Sequence, residues 1–129
     1  MIRVTWPQAL AWRLRRHELD PPGRLPAPEV VRRLSGVQAQ VASSAELAIR
    51  VRSDAVRAGD VARALADGDL IKTWAMRGTL HLLTPEDAGA YLSLMASARP
   101  WERPAWQRWF GMEPEVTAEL RSLMEQSLA

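Results

Sequence analysis

The stretch Leu70-Ile71-Lys72-Thr73-Trp74-Ala75-Met76-Arg77-Gly78-Thr79-Leu80-His81-Leu82-Leu83 is where the chain leaves the helical period. Two runs carrying β-branched and aromatic residues flank Arg77-Gly78, the signature of a β-hairpin. In the strand after the turn, alternation puts Thr79 and His81 on one face and Leu80 and Leu82 on the other. Arg77 falls at the tip, where a wing would meet a phosphate or a minor groove. The same residues also read more plainly, Arg77 as a solvated turn residue and His81 as a cross-strand hydrogen bonder.

Everything around the hairpin reads as helix. Thr5 can cap a helix to about Glu18 with Trp6, Leu10 and Leu14 on one stripe, and Asp20-Pro21-Pro22-Gly23 ends it. Ala27-Pro28-Glu29 opens a second helix with Val30, Val31 and Leu34 inward and Gly36 as its stop. A third begins near Ser43, whose spacing to Glu46 resembles a capping box, with Leu47, Ala48 and Val51 inward. A fourth spans Asp60 to Ala66. After the hairpin, Thr84-Pro85-Glu86-Asp87 starts a fifth helix. A tryptophan-rich segment (Trp101, Trp106, Trp109) forms a short helix, and Glu113 onward a last one with Val116, Leu120, Leu123 and Met124 as its stripe. The fold expected is α+β and mostly helical: a winged helix, meaning helix-turn-helix with a two-stranded β-hairpin wing, followed by further helices. The winged-helix domain is expected over residues 1–98. A helical extension over 99–129 lacks a stop signal and reads as the start of a second module of a longer protein.

Composition narrows the chemistry. The 129 residues contain no cysteine, which excludes disulfides, thiolate zinc sites and thiol nucleophiles and fits a reducing compartment. No apolar run approaches the ~18 residues of a membrane span and no signal peptide is visible, so no membrane partner and a cytoplasmic location are expected. The net charge of +2 hides an asymmetry: residues 1–58 hold ten arginines against five acids, whereas residues 59–129 balance at −3. The basic half is suited to facing phosphates. Lys72 is the one lysine; arginine favours bidentate phosphate binding, and a coding bias explains the same imbalance. His17 and His81 have no suitably spaced companions, so no metal site is expected. No paired carboxylates and no phosphate-binding glycine loop appear. The six tryptophans are expected to fill the core or a domain interface.

Gln38 and Gln40, in Gly36-Val37-Gln38-Ala39-Gln40-Val41, are the most unusual polar residues. On a helix they would point about 200° apart; on an extended segment they share a face. An amide both donates and accepts but does not ionise, so it can orient water or read a base edge without acting as a strong base. The pair can equally satisfy orphan backbone groups at the adjoining helix ends. Arg32 and Arg33 lie just upstream on the outer face of the second helix, making a phosphate-facing surface with the glutamines.

The segments LSGVQAQVASSAELAIRVR and GDLIKTWAMRGTLHLLTPEDAGAYL, with their order and spacing, resemble a known family. It is the winged-helix DNA-binding family that includes the crosslink-repair DNA glycosylases of the AlkZ/YcaQ type. Its glutamine–aliphatic–glutamine motif reads here as Gln38-Ala39-Gln40, and its Trp-x-x-Arg-Gly-Thr-x-His segment as Trp74 to His81. The resemblance covers residues 5–95 clearly and the remainder weakly. It implies hydrolysis of the N-glycosidic bond of bulky N7-alkylated purines, including interstrand crosslinks, with Gln38 and Gln40 as the catalytic pair. It also implies double-stranded DNA as partner, contacted by Arg32, Arg33, Arg77, Thr79 and His81, and no cofactor. The alternative is a winged-helix module that binds DNA without chemistry. Ala39 is smaller than the family's usual aliphatic residue there, and the family's full chain carries several such modules and a β-barrel.

Overall fold

The computed structural model describes residues 3–128. Among them the elements run α1 (Trp6–Arg16), α2 (Ala27–Arg33), β1 (Val37–Gln38), α3 (Ala42–Arg50), α4 (Asp60–Ala66), β2 (Ile71–Ala75), β3 (Thr79–Leu83), α5 (Pro85–Ser97), a 3-10 turn at Pro100–Glu102, α6 (Pro104–Phe110) and α7 (Pro114–Leu128). The chain divides into two compact units between Leu92 and Ser93.

In the first unit the order from α2 to β3, helix, strand, two helices, two strands, is that of a winged helix, with α1 preceding it. The hairpin expected from sequence is present, its strands paired from Ile71↔Leu83 to Ala75↔Thr79. Its loop is Met76-Arg77-Gly78, one residue longer than Arg77-Gly78 alone, and both Met76 (φ 54°) and Gly78 (φ 80°) turn it. The ribbon gains a third strand on its other edge. The two residues of β1 pair antiparallel with β3, Val37 opposite Leu82 and Gln38 opposite His81, giving the order β1-β3-β2.

The core of this unit is made of small and medium aliphatic side chains: Val30 and Val31 from α2, Val37 and Ala39 around β1, Ala45 and Ile49 from α3, Val61 and Ala64 from α4, Leu70 and Leu82. Burying each of the larger ones contributes roughly 1.5–3 kcal/mol. No tryptophan joins them, so of the expectation that tryptophans fill the core or a domain interface the core part is not met. Trp6, Trp12, Trp74 and Trp109 are exposed, and alanines at 27, 39, 45 and 64 occupy core positions instead.

Local details also differ from the sequence reading. In α2 the stop is one residue earlier than Gly36. Ser35 takes the left-handed conformation (φ 59°) and donates to the Arg32 carbonyl, while Gly36 N–H donates to the Val31 carbonyl. These two bonds are the Schellman closure of a helix. The Ser43–Glu46 capping box does not form: α3 starts at Ala42, and the Glu46 carboxylate accepts the Gly59 N–H at 3.0 Å instead. Consequently the inward face of α3 is Ala45, Ala48 and Ile49, and Leu47 and Val51 are exposed.

Helix α1 begins with a complete capping box between Thr5 and Gln8, yet buries no residue; its stripe of Trp6, Leu10 and Leu14 faces outward. In the second unit Trp106 and Phe110 pack with ring centroids 4.4 Å apart, and the stripe of α7 is exposed. No described helix is long and apolar enough to cross a membrane.

Candidate functional site

The segment after Gly36 is extended, and its burial alternates: Val37 and Ala39 are buried, Gln38 and Gln40 exposed. A period of two places both amides on one face of the sheet. The geometric question left by the sequence is thereby answered, since the glutamines lie in and just past a strand and can act on one target.

Two hydrogen bonds fix the register. Ala39 N–H donates to the Leu80 carbonyl at 2.7 Å, and Leu80 N–H donates to Gln40 Oε1 at 3.2 Å. In a continuous ladder the Leu80 N–H would bond to the Ala39 carbonyl. The Gln40 side chain takes that place at the end of β1. It closes an otherwise orphan main-chain donor and is held with its amide nitrogen free. Gln38 makes no side-chain hydrogen bond among the described residues.

His81 stands opposite Gln38 on β3 and opposite Thr73 on β2. It is 9% exposed, and its Nδ1 lies 2.8 Å from the Thr79 carbonyl. A carbonyl only accepts, so this contact fits the tautomer with the hydrogen on Nδ1, in which Nε2 is an acceptor. The bond runs along β3 itself and not across strands. Thr79 and His81 share the glutamine face, as alternation predicted, while Leu80 and Leu82 point to the core side.

The arginines separate into two groups. Arg77 at the hairpin tip is exposed and has no ion pair among the described residues. Arg33 Nε binds Glu18 at 2.6 Å, tying α2 to the turn after α1. Arg32 lies 3.7 Å from both Glu29 and Glu86. The structure thus brings Gln38, Gln40, Thr79 and His81 to one sheet face with Arg77 at the end of the same hairpin. Arg32 and Arg33 are instead engaged with carboxylates. Sequence reading missed the Leu80 N–H as the group that holds Gln40; the apolar–polar alternation from Val37 to Gln40 was the signal for β1. No group of three or more His, Cys, Asp or Glu residues suited to a metal ion occurs among the described residues.

Residues 31–127 match the family described as DNA glycosylase AlkZ-like. An interstrand DNA cross-link repair glycosylase from Streptomyces sahachiroi is 47% identical over 128 residues, covering 96% of this chain and 34% of the relative. The solved structure of Streptomyces sahachiroi DNA glycosylase AlkZ superposes with a TM-score of 0.85 at 50% identity, over 92% of this chain and 32% of that one. The chain therefore spans about a third of the length of the relatives it matches.

Proposed function

Because the chain belongs to the AlkZ-like DNA glycosylase family, we propose that it is the N-terminal portion of a DNA repair glycosylase. Its substrates would be bulky N7-alkylated purines or interstrand crosslinks in double-stranded DNA. Residues 1–98 act as the winged-helix domain and 99–129 as the start of a second module.

The observation that carries this reading is the shared face of Gln38 and Gln40, one amide free and the other held by β3. An N7-alkylated purine already bears a positive charge and needs no general acid. Its C1′–N9 bond breaks with the electron pair passing to the base, which leaves neutral. A water oxygen bonds to C1′, and the water's proton passes to solvent. The chain contributes positioning of that water and dipoles facing an oxocarbenium-like sugar, tasks within the reach of neutral amides. Arg77 at the tip supplies a phosphate contact that sets the register on the duplex.

The test is release of N7-alkylguanine from duplex DNA by this chain, and by a chimera in which it replaces the matching third of the S. sahachiroi glycosylase. Base release by the chimera, lowered about 100-fold or more by Gln38→Ala or Gln40→Ala, is the expected result. Salt-dependent DNA binding with no release by either protein would identify a binding module and end the glycosylase reading. So would release that neither substitution changes.

A further inference from the structure

The two amides are not equivalent. Gln40 is oriented by a main-chain donor: its Oε1 is turned to the Leu80 N–H, so the NH2 group is the end of the amide left without a partner. Gln38 is exposed and unbonded, so nothing within its own strand decides which end of the amide faces outward. That choice matters, because a carbonyl oxygen accepts a hydrogen from water whereas an NH2 group donates to it.

The neighbour opposite Gln38 is suited to make the choice. The Leu80 carbonyl accepts the Ala39 N–H just past β1, so the adjacent pair Gln38–His81 is the close, non-hydrogen-bonded pair of the ladder. Cβ atoms of such pairs stand about 4.5–5.5 Å apart on the same face. The His81 ring is buried with Nδ1 2.8 Å from the Thr79 carbonyl; in the tautomer that donates there, Nε2 is an acceptor. An acceptor beside a free amide draws the NH2 end toward itself.

We propose that His81 is a positioning residue. Its Nε2 accepts a hydrogen from the Gln38 amide and turns Gln38 Oε1 outward, so that Gln38 presents an acceptor beside the donor presented by Gln40. The sheet face then offers one water molecule both polarities: Gln38 takes a water hydrogen and Gln40 donates to the water oxygen, aiming the oxygen's second lone pair. This deepens the glycosylase reading and rests on it for its consequence in catalysis, but the pairing itself involves only residues of this chain and needs only a turn of the unbonded Gln38 amide toward His81.

The test begins without activity, by nuclear magnetic resonance on 15N-labelled chain. Two variants divide the histidine's functions: His81→Asn retains a donor at the Nδ1 position and loses the Nε2 acceptor, and His81→Gln places an amide oxygen near the Nε2 position. The expected result is an Nδ1–H tautomer, and Gln38 side-chain amide resonances that move in His81→Asn but return toward the parent positions in His81→Gln. The Gln40 amide stays unchanged throughout. An Nε2–H tautomer, or a Gln38 amide indifferent to both substitutions in folded protein, overturns the proposal. In the active chimera, His81→Asn should lower kcat about 10- to 100-fold with KM little changed, and add nothing to Gln38→Ala. Additive losses overturn the proposal. If the resonances behave as expected but the chimera releases no base at all, the pairing stands and the glycosylase reading is what fails.

Discussion

Gly36 offers the sharpest test of how the site is held. It sits between the closure of α2 and the start of β1 with φ +110°, a conformation that disfavours any side chain. A Cβ there would also stand 2.8 Å from Leu83 Cδ2 and 2.8 Å from Met76 Cε, with the Leu82 carbonyl at 3.4 Å. Gly36→Ala thus combines two costs: about 1–3 kcal/mol for the backbone conformation and about 1–3 kcal/mol for crowding. Met76 is at the edge of the hairpin and can yield, but Leu83 is buried, so only part of the crowding can relax. The expected loss is about 2–5 kcal/mol, or a fall in Tm of roughly 10 °C for a chain of this size. Gly59→Ala is the control, since Gly59 has φ +89° but nothing within 4 Å of its Cβ position. It bears only the conformational cost. Urea unfolding followed by circular dichroism, with m unchanged, measures both. If Gly36→Ala proves no less stable than Gly59→Ala, the close approach of Gly36 to β3 and the hairpin loop does not exist as described.

Two further outcomes are expected. Arg77→Ser should weaken duplex binding at all sequences and reduce the slope of log affinity against log salt by about 1. Arg33→Met should leave that slope unchanged while lowering stability, because Arg33 is held by Glu18; fluorescence anisotropy across a salt series with a thermal melt separates the two. Ser53 is buried, donates through Oγ to the Leu25 carbonyl at 2.6 Å and accepts the Ala55 N–H. Ser53→Ala leaves both groups unpaired and should cost about 1–3 kcal/mol in urea unfolding; a loss under about 0.5 kcal/mol would show those groups finding other partners.

The hairpin was readable from sequence because a sustained β-branched and aromatic run, broken by Arg-Gly, has no helical alternative. Helices α2 and α4 were readable for the corresponding reason, each carrying its own start and inward face. Strand β1 was legible only as the four-residue alternation from Val37 to Gln40, too short to separate a strand from a turn, and what makes it a strand is the open edge of β3 more than 40 positions away. The Ser43–Glu46 box failed for the same kind of reason: Glu46 had a distant competitor in the Gly59 N–H. The tryptophans are absent from the core because hydrophobicity alone does not say which surface a large side chain covers. For the site, the residue types and their shared face could be anticipated, whereas the unequal anchoring of the two amides depends on one main-chain donor in β3.

The bond between Leu80 N–H and Gln40 Oε1 has a consequence for engineering. The Gln-Ala-Gln triplet is short enough to graft onto another scaffold, but half of its geometry is written in a strand 40 residues later. A transplanted triplet would carry the amides without the clamp that orients one of them. Transfer of this arrangement to a new host would need to move a strand edge together with its antiparallel partner, making the smallest portable unit a pair of strands and not a sequence motif.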